Sequence, residues 1–310
     1  MEIMDTHCDA LLKLTEDPSR SFTDNSDIQT NYHHLQAGNV KLQFFAIFIE
    51  PEVKQNHKFD HVLDQVHAFY EKVLKPNPRM KHIRQWQDMF DLKEGEIGAV
   101  LALEGLDAIG NDLIKMSILT QLGVLSVGLT WNFANLFADG VNETRGAGLT
   151  ELGKEMVLEF NKKGILTDVS HISEKGFWDV MERAEFPIAS HSNAKAICNS
   201  PRNLTDEQIK ALILKGGYMG LVLYPEFLTG TKQATIKDLA SHIEHICSLG
   251  GENLIGIGSD FDGIDCFITD VEHSGKLPFL LQELTKFFPV ELIEKIAHQN
   301  FKAFIQRKFI

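Results

Sequence analysis

The stretch ILTDVSHISEKGFWDVMERAEFPIASH, residues 165–191, decides how the rest of the chain is read. It opens on a short β-rich apolar run, Ile165–His171, and passes through an amphipathic stretch at helical spacing, Glu174–Arg183. It then returns to a second apolar run, Pro187–His191. A strand, a helix and a strand in that order form a parallel βαβ unit. Both runs stop at a histidine.

The same pattern recurs outward in both directions. Runs of this kind occur at Ile3–His7, Leu42–Ile49, Ile97–Glu104, Val124–Thr130, Tyr218–Tyr224 and Leu254–Asp260, which with the two above makes eight. Helical spacing fills most of the gaps, as in Phe59–Leu74, Gly148–Lys163, Asp206–Lys215 and Ile236–Leu249, and two more such stretches, Leu277–Phe288 and Val290–Gln306, follow the last run. At Asn203-Leu204-Thr205-Asp206-Glu207-Gln208, Thr205 can cap a helix while Gln208 reaches back to it. Eight strand–helix units predict an α/β fold of the TIM type, a closed (β/α)8 barrel formed as one domain over residues 1–310. A doubly wound open sheet is the competing architecture, but no G-x-G-x-x-G follows the first run. No Gly/Ser-rich linker divides the chain.

Composition narrows the partners. Lys and Arg number 30 against 43 Asp and Glu, a net charge of −13, which argues against nucleic acid or an anionic membrane as a ligand. The acidic start MEIMDTHCD is no secretory signal. The best apolar run, Val40–Ile49, carries Lys41 and Gln43 and falls well short of the ~20 residues of a membrane span. Cys8, Cys198, Cys247 and Cys266 show no CxxC spacing and are read as reduced thiols, with a cytoplasmic location expected.

The chemistry sits where the apolar runs stop. The first ends in Asp5-Thr6-His7-Cys8-Asp9, the third at Glu104, the fifth at His171, the sixth at His191 and the eighth at Asp260. His7 and Asp9 are two apart and share a side in extended chain, with Cys8 facing the core. In a barrel these ends converge on one mouth, and three imidazoles with the carboxylates of Asp9, Glu104 and Asp260 suit Zn²⁺ or a similar divalent ion. Each residue alone has a plainer reading: Asp9 could cap the helix beginning near Ala10, Glu104 could pair with an arginine, and Asp5 and Thr6 could serve as strand-end hydrogen bonders.

The segments DTHCDALL, LQAGNVKLQFF, ALEG, GLTELGKEMVLEFNKKGILTDVSHIS, ASHSNAKAICNSPRNLTD and IGIGSDFDG, in this order, resemble the renal (membrane) dipeptidase family of zinc peptidases, an amidohydrolase-type barrel. The resemblance implies two divalent cations, with zinc expected. His7 and Asp9 would bind one, His171 and His191 the other, and Glu104 would bridge them. Two such ions, about 3.5–4 Å apart, lower the pKa of a shared water toward neutrality. Asp260 resembles the family's acid/base, Arg202 its clamp on the substrate's free α-carboxylate, and Tyr224 a tyrosine near the substrate, while Asp262 has a structural role. The implied activity is hydrolysis of dipeptides with a free C-terminal carboxylate, including a D-residue at the second position, and family members are often homodimers. An amidohydrolase acting on N-acyl amino acids and a silent metal-binding barrel are the alternatives.

One departure from the family stands after the fourth run. There the best-known members carry a histidine that hydrogen-bonds the substrate carbonyl, and this chain reads Leu129-Thr130-Trp131-Asn132. Trp131 could replace the donor, the task could pass to Asn132 or the metals, or specificity could change. His33, His34, His57, His61 and His67 are expected in solvent, as are His242 and His245 on the helix before the last strand. The Gly-rich GVNETRGAGLT, residues 140–150, is expected as a loop at the mouth.

Overall fold

The computed structural model describes residues 1–310. Nine strands form one all-parallel sheet: β1 (Ile3–Asp5), β2 (Val40–Phe48), β3 (Met80–His82), β4 (Ile97–Glu104), β5 (Val124–Gly128), β6 (Leu166–Asp168), β7 (Pro187–Ala189), β8 (Tyr218–Leu221) and β9 (Ile255–Ile257). β2 pairs with β4 from Leu42↔Gly98 to Phe48↔Glu104, and β1 joins β2 to β9. Eight strands therefore close a barrel, as the eight runs predict. The ninth, β3, was not anticipated. It is only three residues long and pairs with the start of β4 on the edge that β5 takes from Leu101 onward.

Strand alternation separates two cores. Met4, Leu42, Phe44, Val100, Ala102, Leu125, Leu166, Ile188 and Tyr218 fill the barrel interior, whereas Phe45, Ile47, Leu101 and Leu103 face the surrounding helices. Trp86, Phe301 and Phe304 stop the N-terminal end of the barrel, with the Phe301 ring 4.9 Å from Tyr218 and 5.5 Å from Phe44. Only the opposite mouth is open to a ligand.

Most strands are shorter than their apolar runs. β6, β7 and β9 end two or three residues before His171, His191 and Asp260, so those side chains stand on the loops just beyond the sheet. The helices follow their sequence signals closely. The Thr205/Gln208 capping box opens Asp206–Lys215, which ends on left-handed Gly216 (φ 63°). Two of the expected helices are less regular: a one-turn π segment, Phe69–Leu74, ends Gln55–Ala68, and another, Lys295–Gln299, interrupts the last helical stretch.

Candidate metal centre and its mouth

The barrel mouth brings His7, Asp9, Glu104, His171, His191 and Asp260 together. Glu104 ends β4 with its carboxylate split between two groups. Its Oε1 lies 2.8 Å from His171 Nε2 and 3.6 Å from His191 Nε2, and its Oε2 lies 3.8 Å from His7 Nε2. His7 Nε2 is 3.3 Å from Asp9 Oδ2 and 3.7 Å from Asp260 Oδ1. Asp9 starts the helix Ala10–Glu16 without capping it; its carboxylate is turned to His7 instead.

The backbone is bent to aim these groups. His171, Asp260 and Asp262 adopt left-handed conformations (φ 66°, 66° and 69°), uncommon for residues with a side chain but best tolerated by Asn, Asp and His. Asp262 holds its loop by accepting from the backbone of Gln29 (2.8 Å) and Thr30 (3.1 Å), which is the structural role expected of it. The 140–150 loop pins the site from the other side. Val141 N–H donates to the His171 carbonyl (2.7 Å) and Asn142 N–H to that of Asn132 (2.8 Å). A Cβ on Gly140 would overlap the Trp131 and Asn132 carbonyls, so this close approach requires glycine.

Two observations test whether the donor set fits a cation. His171 Nδ1 bonds Asn132 Oδ1 (2.7 Å) and His191 Nδ1 bonds Ser190 Oγ (2.8 Å), which leaves both Nε2 lone pairs facing each other at 2.8 Å and facing Glu104. Converging acceptors of this kind call for a positive charge between them. In the other half, His7 Nε2 and Asp9 Oδ1 are buried without a hydrogen-bond partner. The imidazoles and carboxylates are the ligands zinc takes, so the residues fit.

The electrostatics agree. Burial drives His171 and His191 well below the usual histidine range, keeping them neutral as ligands require. Burial also opposes charge on His7, but Glu104 and Asp9 outweigh it and raise His7 to about 10. Burial lifts Glu104 to about 8 and Asp260 to about 7, with Asp9 adding to both. The cation-free cluster thus holds a proton at neutral pH that a cation must displace. Zinc uptake at pH 7 should release about one proton or more and weaken as pH falls. Calorimetry in buffers of different ionisation enthalpy checks this; identical heats in all buffers would contradict it.

Beside the cluster, Arg202 is 6% exposed and takes part in no ion pair. Its Nη2 donates to the His191 carbonyl (3.0 Å), its guanidinium stands over the Phe227 ring at 5.5 Å, and its Nε has no partner. Phe48, Trp131, Asn132, Tyr224, Phe227 and Ile264 line a cleft of about 370 Å³ over Glu104 and Asp260. Trp131 packs on Phe48 (5.1 Å) and Phe133 (5.8 Å) and forms an apolar wall. The Asn132 side-chain oxygen Oδ1 is committed to His171, and the Tyr224 hydroxyl donates to Asp265 (3.0 Å) at the rim.

The other histidines separate. His33, His57, His61 and His67 are exposed, and His34 is half-buried against the His273 ring (3.9 Å). His242, expected at the surface, is instead fully buried. Its Nδ1 accepts from Ala194 N–H (3.1 Å) and its Nε2 lies 3.0 Å from the Leu228 carbonyl. Its position falls on the buried stripe of Leu239, Ile243 and Ile246, and the ring there ties the loop of Ala194 and the short helix Pro225–Thr229 to its own helix. His245 is half-buried and pairs with Asp206 at 2.7 Å. Cys8 is buried as expected, and all four cysteines are free.

Residues 1–307 match the family model of the membrane dipeptidases, peptidase family M19. The chain belongs to the membrane dipeptidase family. It is 38% identical over 189 residues to a protein of the pqqA 5′ region of Klebsiella pneumoniae, covering 57% of this chain and 70% of that one. It shares 30% identity over 283 residues with dipeptidase aclJ of Aspergillus oryzae, covering 85% of this chain and 66% of the relative. Its fold matches a metallo peptidase of Rhodobacter sphaeroides liganded with a phosphinate mimic of the dipeptide L-Ala-D-Ala, with a TM-score of 0.93, 25% identity, and coverage of 100% of this chain and 99% of that one. As a member of the membrane dipeptidase family the chain is a metal-dependent hydrolase acting on peptide bonds. No helix in it is long and apolar enough to cross a membrane.

Proposed function

We propose that this membrane dipeptidase relative hydrolyses dipeptides carrying a free C-terminal carboxylate, D-residues at the second position included, with two zinc ions. The observation that carries the substrate class is Arg202, a buried guanidinium with no ion-pair partner beside the Glu104 cluster. A buried cation of that kind is costly unless a ligand carboxylate completes it, and its planar fork suits a carboxylate. The phosphinate dipeptide mimic held by the Rhodobacter sphaeroides relative supports the same reading.

His7 and Asp9 would hold one ion, His171 and His191 the other, and Glu104 one with each carboxylate oxygen. When bound, such a pair makes a water acidic enough to attack at neutral pH and polarises the scissile carbonyl. Asp260, at the edge of the cluster, takes the proton of the attacking water and delivers it to the leaving amine. Arg202, which lines a neighbouring cavity that shares His171 with this cleft, would fix the substrate's far end. Asn132 holds His171 in place, and Trp131 with Phe48 shields the reaction from bulk water. The four free thiols support a reducing compartment, the cytoplasm.

The test is turnover of the zinc-loaded protein on L,L-dipeptides, L,D-dipeptides and N-acyl amino acids. Release of free amino acids from dipeptides is expected. Arg202→Met should raise KM for them roughly 30-fold or more, the loss of a charge-assisted pair of about 2 kcal/mol. Preferential turnover of N-acyl amino acids would favour the second amidohydrolase reading, and an unchanged KM in Arg202→Met would remove the clamp.

A further inference from the structure

The two strands leading to His171 and His191 share one buried carboxylate. Asp168 ends β6 two residues beyond Leu166, so alternation turns it toward the barrel axis above that core residue. Its Oδ1 accepts from the backbone N–H of Ser170 (2.9 Å) and of Ser190 (3.0 Å), the residues that directly precede His171 and His191. Its Oδ2 receives the Ser190 hydroxyl, whose Oγ lies 2.8 Å from His191 Nδ1. Ser170 Oγ completes the group, accepting from His191 N–H (3.2 Å) and lying 3.4 Å from Ser190 Oγ.

These contacts admit one assignment of protons. An ionised carboxylate only accepts, so Ser190 gives its proton to Asp168 and offers a lone pair to His191. The imidazole then carries its hydrogen on Nδ1, which leaves the Nε2 lone pair facing Glu104 and His171. We propose that Asp168, acting through Ser190, is the positioning residue that fixes the tautomer of His191 and so sets the cation affinity of the Glu104–His171–His191 half of the site. The proposal rests on the cation reading given above. The other half has a similar clamp without a relay. Asp5 accepts from the N–H groups of His7 (3.3 Å) and Ser259 (2.8 Å) and from Ser259 Oγ (2.6 Å), reaching His7 through the backbone alone.

Asp168→Asn isolates the effect. The asparagine oxygen keeps the two backbone donors while its amide donates to Ser190 Oγ. Ser190 then turns its proton toward His191 Nδ1, and the ring hydrogen moves to Nε2. Long-range ¹H–¹⁵N spectra of the metal-free protein should show His191 as the Nδ1–H form in the wild type and the Nε2–H form in the variant. Stepwise zinc titration should show one of two steps weakened about 10–100-fold and the other unchanged. Ser190→Ala, which leaves Asp168 and its backbone contacts in place, should weaken the same step, and Asp5→Asn should leave the His191 tautomer unchanged. The proposal is overturned if His191 keeps its wild-type tautomer in Asp168→Asn, or if Ser190→Ala binds zinc as the wild type does. A wild type that takes up no zinc would sink the cation reading instead, and the metal-free spectra would still decide the relay.

Discussion

Glu104→Gln should lower the zinc content from two ions to at most one per chain and slow dipeptide turnover on the order of 10⁴-fold or more. The carboxylate is the one group that faces both halves of the cluster, Oε1 toward His171 and His191 and Oε2 toward His7. An amide of the same shape keeps one acceptor and sets N–H donors against the other half. That half then has two ligands and a repelling dipole, too little to hold an ion in a buried site. The fold should not suffer. Burial raises Glu104 to about 8, so in the metal-free protein at pH 7 it is already largely neutral and an amide of equal volume is a mild change. Metal analysis of the purified variant, with thermal unfolding of both metal-free proteins, checks this result. Retention of two ions by Glu104→Gln would exclude the bridging role.

Asp260→Asn should do the opposite: metal content unchanged, kcat lowered roughly 10³-fold and KM close to the wild type. Asparagine occupies the left-handed conformation of residue 260 (φ 66°) as readily as aspartate does, so the loop needs no rearrangement. His7 retains Asp9 at 3.3 Å when the carboxylate at 3.7 Å is replaced. What disappears is a carboxyl at the edge of the cluster that burial pushes up from the usual carboxylate range in the cation-free protein. Loss of metal together with activity would make Asp260 a ligand, a role the proximity of its oxygen to His7 and His191 also allows geometrically. A variant as fast as the wild type would move the proton transfer to another group.

Much of this centre was legible in the sequence, for a definite reason. In a parallel barrel every strand delivers its last residues to the same mouth, so polar residues after apolar runs become neighbours without any prediction of long-range contacts. His7, Asp9, Glu104, His171, His191 and Asp260 all follow that rule. Asp168 and Ser190 obey it too, in TDVSH and IASH, but carry no signal of their own, because a serine or an aspartate beside a histidine equally suits an ordinary turn. β3 was hidden by its length: three residues carry no periodicity. His242 is not legible as buried because its two polar partners, Ala194 and Leu228, lie 48 and 14 residues away, one in a loop and the other in the short helix Pro225–Thr229. The Asn132 contact to His171 was equally out of reach, since nothing local announces a bond across 39 positions.

The seam between β1 and β9 bears on how the molecule is made. Asp5 pairs with Ile257, and Asp260 N–H donates to the His7 carbonyl, so a nascent chain must bring together points more than 250 residues apart before the mouth exists. Contacts of such separation are slow to form. The half carrying Glu104, His171 and His191 can be assembled much earlier, when β7 docks on β6. The ligands Glu104, His171 and His191 are therefore in place before the ring shuts, whereas His7 and Asp9 join them only when β1 meets β9. On the two-ion proposal, the second ion would find its site complete only in a chain that has finished folding.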